Sequence, residues 1–293
     1  MLSEKTFRFF FNYAKSDPLK FTDMVRRRAI EQFSRVPKGV ASTKFGGVEY
    51  EIDLSIHRLM RKYYFHTHEM FLERIFDKHL TSGMTFIDIG ANCGYWSAYA
   101  LSHVGKNGAV HSFEPVPQYF EFLRRLANRN PDYSIFPNNK ACGARQERLK
   151  MSIVPPQKDN FDNYDINVGS SSLLPGFLDH AEQLTEIREV DVVPFDEYVA
   201  QNSIDLDRIG LMKIDVEGFE AAVLDGMPRL LDKSGRKVPI LCEILTDRQR
   251  SNPLDGGAII RRLQQHGYRC VNATNLLPID PSSLGFEENV LFI

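Results

Sequence analysis

Four carboxylates recur in or just after short apolar runs: Asp88 within Thr85–Ile89, Glu114 after Ala109–Phe113, Asp215 after Gly210–Ile214, and Glu243 inside Ile240–Ile244. Each run has strand propensity, and in an open α/β sheet ligands bind outside the carboxyl ends of the strands. One such acid is readily a helix cap or a satisfied polar group. Four at corresponding places suggest a row of carboxylates along one edge of a site, suited to ribose hydroxyls, a cationic amine, a divalent cation or a proton.

The turn between the first two runs narrows the chemistry. Gly90-Ala-Asn-Cys-Gly94 follows Phe86-Ile-Asp-Ile89 and leads into a helical period from Tyr95. Glycine there permits positive φ and close approach of backbone to a nucleotide-like ligand. A dinucleotide fingerprint would read GxGxxG, and the middle glycine is missing; a Walker lysine is missing too. Such a turn is poorly built for a pyrophosphate but suits the amino-acid part of S-adenosylmethionine, with Glu114 placed for the ribose diol. A methyl donor is thus favoured over a hydride donor.

From Met84 onward the rhythm is strand, helix, strand, helix, the pattern of a doubly wound α/β sheet. Further strands are expected at Tyr133–Phe136, Tyr268–Ala273 and Asn289–Ile293, and helices at Tyr95–His103, Pro117–Asn130, Glu217–Leu224 and Gly257–His266. Residues 144–189 break the rhythm with one expected strand, Leu149–Val154, and a polar stretch read as a substrate-facing loop. Upstream, Gly46–Leu54 alternates like a strand, and Arg58–Leu80 has helical periodicity. The aromatic joint Tyr63-Tyr-Phe-His-Thr-His-Glu69 reads either as a ligand-closing element, with Glu69 meeting a cationic amine, or as a helix cap with core aromatics. His66 and His68 would diverge on a helix and make a poor metal pair.

The chain has 293 residues, is 43% hydrophobic and carries a net charge of −2, enough for one large or two small domains with a sizeable core. Residues 1–40 hold nine Lys or Arg against four Asp or Glu, so the remainder is acidic and nucleic acid is not an expected partner. Phe7 to Ser34 is aromatic and basic: an accessory helical layer packed on the main domain, or a segment lying on an anionic membrane surface. Four cysteines lack CxxC spacing and read as reduced thiols, and no run is long enough to span a bilayer. A cytoplasmic protein, with peripheral contact to the inner face of the membrane as an option, is expected.

From Tyr63 to the C-terminus the chain resembles the FkbM family of S-adenosylmethionine-dependent methyltransferases. The resemblance rests on Phe86-Ile-Asp-Ile-Gly-Ala-Asn-Cys-Gly94, Phe113-Glu-Pro-Val-Pro117, Asn139-Lys-Ala141, Gly169-Ser-Ser-Ser-Leu173, Lys213-Ile-Asp-Val-Glu-Gly218 and Glu243. It implies a class I Rossmann-like fold over 63–293, a seven-stranded mixed sheet of order 3-2-1-4-5-7-6 with helices on both faces; residues 1–62, outside the resemblance, are read as an N-terminal helical extension and strand accessory segment. It also implies methylation of hydroxyl oxygens of sugars, glycans, glycolipids or natural products. On that basis Asp88, Gly90, Asn92 and Gly94 would hold the methionine end of the donor; Glu69, from the reading of the aromatic joint, is expected to add a contact to the donor's amine. Glu114 would take the ribose, and Asn139, Lys140 and Ala141 would border the adenine. Cys93 stands where the family commonly has an aliphatic residue.

A sugar hydroxyl is weakly acidic, so a base or metal is expected to help. Asp215, Glu217 and Glu243 are the candidates, either as base and substrate clamp, with Ser170, Ser171 and Ser172 recognising hydroxyls, or as oxygen ligands of Mg²⁺. A methyltransferase acting on nitrogen or carbon, a nicotinamide oxidoreductase and a non-enzymatic interaction module are the rival readings.

Overall fold

The computed structural model describes residues 22, 25, 36–57, 59–155, 171–174, 185–245, 256–282, 284 and 287–293. The basic aromatic segment Phe7 to Ser34, apart from Thr22 and Val25, and Ser170 lie outside the described residues.

Seven strands form the central sheet: β3 (Thr85–Ile89), β4 (Ala109–Phe113), β5 (Ser134–Asn138), β9 (Ile209–Ile214), β10 (Ile240–Leu245), β11 (Cys270–Asn272) and β12 (Glu287–Phe292). Their spatial order is β11-β12-β10-β9-β3-β4-β5. Counted along the chain within this sheet, that is 3-2-1-4-5-7-6. Only β12 runs antiparallel to its neighbours; the other pairings are parallel. β3 and β9 sit in the middle, and every residue of both is buried, which explains their near-continuous apolar sequence.

Alternation along the strands splits the core. Phe86, Val110, Leu211 and Leu241 face one cluster, whereas Ile87, Ile89, Met212 and Ile214 face the other. Asp88 and Lys213 share the face of Phe86 and Leu211 by the same alternation, and they stand level with one another across β3 and β9. That face carries α3 (Tyr95–Val104), α4 (Pro117–Arg129) and an N-terminal hairpin of β1 (Val40–Phe45) and β2 (Val48–Asp53). α4 starts with proline in its first turn and buries Tyr119, Phe122, Leu123 and Leu126, an i, i+3, i+4, i+7 stripe. Tyr50 of the hairpin is fully buried and its hydroxyl donates to the Cys93 carbonyl oxygen at 3.1 Å. All four cysteines are buried free thiols.

The structure departs from sequence expectation at four places. The 58–80 helix is broken into α1 (Leu59–Tyr64), a 3₁₀ turn Met70–Leu72 and α2 (Glu73–His79), because His66 (φ 53°) and Glu69 (φ 43°) are left-handed. The helix expected from Glu217 begins as α6 (Glu220–Asp225), since Glu217 and Gly218 have φ of 52° and 99°. The 144–189 insertion is in part a sheet: β7 (Glu147–Ile153) pairs antiparallel with β8 (Glu186–Val193), and β8 pairs with the short β6 (Ala141–Cys142). The helices α5 (Phe195–Gln201) and α7 (Pro228–Leu231) were not anticipated, whereas α8 (Gly256–Gln265) was. Among the described residues no helix is long and apolar enough to cross a membrane.

Candidate active site

A cavity of about 480 Å³ opens at the carboxyl ends of β3, β4, β9 and β10. Its floor is the glycine turn. The N–H groups of Gly90 and Ala91 both donate to the Phe113 carbonyl oxygen, at 3.0 and 2.9 Å, and that of Asp215 donates to Ile89 O at 3.0 Å. Gly90 has φ +85°, and a Cβ there would overlap the carbonyl oxygen of Asp215, so the turn needs glycine for both its angle and its clearance.

Glu114 is buried beside this turn. Its Oε2 accepts from the Asn92 N–H at 2.8 Å and its Oε1 from the Val116 N–H at 2.8 Å. A carboxylate has about four lone-pair sites, so each oxygen retains capacity toward the cavity. Burial pushes its pKa up to about 7 against those two N–H groups, with Asp88 and Asp215 adding to the rise. Asp88, 1% exposed, accepts from Ser97 Oγ at 2.6 Å through Oδ2, while its buried Oδ1 has no partner among the described residues. Burial raises its pKa to about 6, tempered by Lys213 and Ser97.

Lys213 is the charge between these acids. Its Nζ donates to Asp215 Oδ2 at 2.6 Å. Burial opposes the ammonium, but Asp215, Asp88 and Glu69 together hold it protonated with a raised pKa. Asp215 and Glu243 each follow the last register pair of β9 and β10, Ile214 with Cys242. The left-handed Glu217 joins them: ligand atoms of Asp215, Glu217 and Glu243 lie within 4.8 Å of one another, all half-buried. Glu220 braces this turn by accepting from the Gly218 N–H at 2.9 Å, and burial lifts its pKa to about 7.

The opposite wall is aromatic. Tyr63 stacks on Tyr95 with centroids 5.0 Å apart, and Trp96 stacks on Phe76 at 4.4 Å. Glu69 Oε2 lies 3.4 Å from Trp96 Nε1 and 3.2 Å from His68 Nε2. Burial disfavours the Glu69 charge, but His68, Lys213 and Trp96 outweigh it and hold the carboxyl below its ordinary range.

Of the residues singled out in the sequence, Glu69, Asp88, Gly90, Asn92, Glu114, Ala141, Ser171, Asp215, Glu217 and Glu243 line this cavity. Gly94, Asn139, Lys140 and Ser172 do not. Gly94 (φ +79°) starts α3 and faces Leu123. Asn139 braces the Glu114 turn, its side-chain amide donating to the carbonyls of Glu114 and Pro115 at 2.9 and 3.0 Å. The Ser172 hydroxyl donates to Glu217 O at 2.6 Å and accepts from Leu174 N–H at 3.0 Å, so it holds the loop. Ser171 Oγ accepts from Val154 N–H at 2.9 Å. His66 Nε2 lies 2.8 Å from Thr43 Oγ1, and His68 Nε2 lies 3.2 Å from Glu69 Oε2. Lys213 stands inside one of the family motifs and Trp96 two residues beyond another, and neither is given a role by sequence alone; a lysine in the apolar run Leu-Met-Lys-Ile is itself a signal, since a buried charge requires partners.

The methyltransferase FkbM domain model matches residues 88–270. The chain belongs to this family. It is a S-adenosylmethionine-dependent methyltransferase with the class I α/β fold, and the nicotinamide alternative is set aside. A curated relative, the 31-O-demethyl-FK506 methyltransferase FkbM of Streptomyces tacrolimicus, is 28% identical over 234 residues, 69% of this chain and 80% of that protein. A protein-L-isoaspartate O-methyltransferase of Methanococcoides burtonii is 27% identical over 84 residues, 27% of this chain and 41% of that one. The crystal structure of a methyltransferase FkbM from Methylobacillus flagellatus KT aligns with TM-score 0.46 at 17% identity, covering 73% of this chain and 44% of that one.

Proposed function

We propose that this FkbM-family enzyme methylates a hydroxyl oxygen of a sugar, a glycan or glycolipid, or a glycosylated natural product. The observation that carries the reading is the convergence of Asp215, Glu217 and Glu243 at one end of a cavity whose floor is the Gly90 turn and Glu114. The curated relative whose name places its methyl group on an oxygen supports the choice of acceptor atom.

The floor fits S-adenosylmethionine on two counts: a buried Asp88 Oδ1 with no partner among the described residues, and a Glu114 carboxylate with acceptor capacity left over. Asp88, Gly90 and Asn92 would hold the methionine end with Glu69 at its amine, Glu114 the ribose diol, and Ala141 the edge of the adenine. When bound, the donor supplies an electrophilic methyl on a sulfonium. The chain's part is to align the acceptor oxygen in line with that methyl, an alignment worth roughly 7–11 kcal/mol in favourable systems, and to accept the hydroxyl proton. Asp215, tethered through Oδ2 to Lys213, is the base; Glu217 and Glu243 clamp neighbouring hydroxyls, and Ser171 borders the acceptor space. The acidic balance beyond residue 40 speaks for a small-molecule or glycan acceptor over nucleic acid.

A second reading of the same acids is a Mg²⁺ site. The 4.8 Å cluster and its all-oxygen donor set support it. Activity abolished by EDTA and restored by Mg²⁺ would favour the metal; activity indifferent to EDTA would leave the carboxylate base.

The test of the main reading is a comparison, by mass spectrometry, of glycans, glycolipids and secondary metabolites from cells with and without the gene. A glycosylated species one methylene lighter in the deletion, restored by the wild-type gene and not by Asp215→Asn, is the expected result. A methyl lost from nitrogen or carbon instead would overturn it.

A further inference from the structure

The family model begins at Asp88, yet one wall of the cavity comes from the segment before it. That segment is held unusually. Two non-glycine residues three positions apart, His66 and Glu69 with φ of 53° and 43°, are left-handed, a conformation that L-residues with bulky side chains adopt only when the surroundings hold them. His66 is held by the hairpin: its Nε2 lies 2.8 Å from Thr43 Oγ1 and its ring 4.1 Å from that of Phe45. Glu69 is held by two nitrogens, Trp96 Nε1 at 3.4 Å and His68 Nε2 at 3.2 Å, and both fall on the same oxygen, Oε2. Oε1 takes neither.

Both nitrogen-bearing rings are themselves fixed. Trp96, the chain's one tryptophan, is 4% exposed and stacked on Phe76 with planes 17° apart. His68 sits edge-on to Tyr63 and Tyr95 at 4.8 and 5.4 Å. A carboxylate fixed at one oxygen presents the other in a set direction, and the low local polarity strengthens what it meets there. Glu69 also stays ionised in spite of burial, with His68 the leading favourable influence. The donor bears an ammonium on its methionine end, a group for which a single oriented carboxylate oxygen is the natural acceptor.

We propose that His68 and Trp96 are positioning residues for donor recognition: by fixing Glu69 through Oε2 they aim Oε1 at the donor's ammonium. This rests on the assignment of Glu69 to the donor's amine. It gives the N-terminal hairpin a task, since Thr43 and Phe45 anchor the start of the segment that carries His68 and Glu69. It also makes the methionine end of the donor site a joint product of the matched domain and the segment outside it.

Two nucleosides separate this role from mere packing. S-adenosylhomocysteine carries the ammonium and 5′-methylthioadenosine lacks the whole amino-acid part. Calorimetry on the full chain is expected to give about tenfold or greater weakening of S-adenosylhomocysteine in Glu69→Gln, and about three- to tenfold in Trp96→Phe and in His68→Phe, with 5′-methylthioadenosine changed less than about twofold in all three. The double variant Trp96→Phe/Glu69→Gln should bind S-adenosylhomocysteine no more weakly than Glu69→Gln alone, because the tryptophan acts through the carboxylate. Thermal melts report whether each variant is folded, and His68→Phe and Trp96→Phe test the same claim independently. Equal weakening of both nucleosides in the two ring variants, or additive losses in the double variant, would overturn the positioning role while leaving Glu69 at the amine. Unchanged binding in Glu69→Gln would remove the assignment on which the proposal stands.

Discussion

Gly90 is more tightly confined than Gly94, the other glycine of its turn. Its positive φ and the carbonyl of Asp215 packed against the space a Cβ would occupy mean that the donor turn and the β9 end interlock through bare backbone. Gly90→Ala is therefore expected to cost about 3 kcal/mol or more of unfolding free energy, read from urea midpoints, because neither backbone can yield without breaking the Gly90–Phe113 and Asp215–Ile89 hydrogen bonds. An effect under about 1 kcal/mol would show that the turn has slack. The Asp215 side chain tests differently. Asp215→Asn keeps the shape and removes the charge beside Lys213, so methyl transfer should fall by about 10²-fold or more while donor binding changes little. A matched loss of donor affinity would move Asp215 from base to donor ligand.

The elements that reach the site divide into those with a local signature and those without one. β3, β4, β9 and β10 are dense apolar runs bounded by turn residues, and they were legible almost to the residue. β1 and β8 were not: both are half-exposed, and their mixed sequences, Val-Ala-Ser-Thr-Lys-Phe and Glu-Ile-Arg-Glu-Val-Asp-Val-Val, take their order from the strand they pair with. The break of the 58–80 helix was hidden for a related reason. His66 and Glu69 are ordinary helix residues by type, and what holds them left-handed is contact with Thr43, Phe45 and Trp96, distant in sequence. Site residues followed the same rule: acids at strand ends were visible, whereas Ser172 and Asn139 looked like ligand groups until the loops they brace were seen. The hairpin's hold on the donor turn is itself measurable. Tyr50→Phe removes one buried hydrogen bond to Cys93 O and is expected to cost about 1 kcal/mol in urea unfolding. No loss would mean that the hairpin rests on the turn without supporting it.

For the whole molecule, the buried acids make stability depend on pH in an unusual direction. The pKa values of Glu114 and Glu220 rise to about 7 on folding, so between the ordinary carboxylate range and pH 7 the folded chain binds more protons than the unfolded one. Stability from these groups is present at low pH and lost as pH rises through about 7. Asp88, raised to about 6 by burial, adds to that loss, whereas His111, pushed down to about 4 by burial, and His66 and His79, also lowered chiefly by burial, act the other way as pH falls through the ordinary histidine value; Glu69, held low, acts only at acid pH. Comparison of the wild-type chain with Glu114→Gln/Glu220→Gln over pH 6.5 to 8 therefore isolates the two raised carboxyls. The wild-type urea midpoint should fall across that window relative to the double variant, and a relative rise would contradict the burial assigned to them. Binding of the donor should oppose this trend, since a ribose diol donates to the ionised form of Glu114.

The most direct measurement is a calorimetric titration of S-adenosylhomocysteine into the full chain and into Glu114→Ala at pH 8. One site per chain, lost by at least about a hundredfold in the variant with its thermal melt retained, is the expected result. Absence of binding to the wild-type chain, or equal affinity in the two, would contradict the assignment of the Gly90 turn and Glu114 as the donor half of a methyltransferase site.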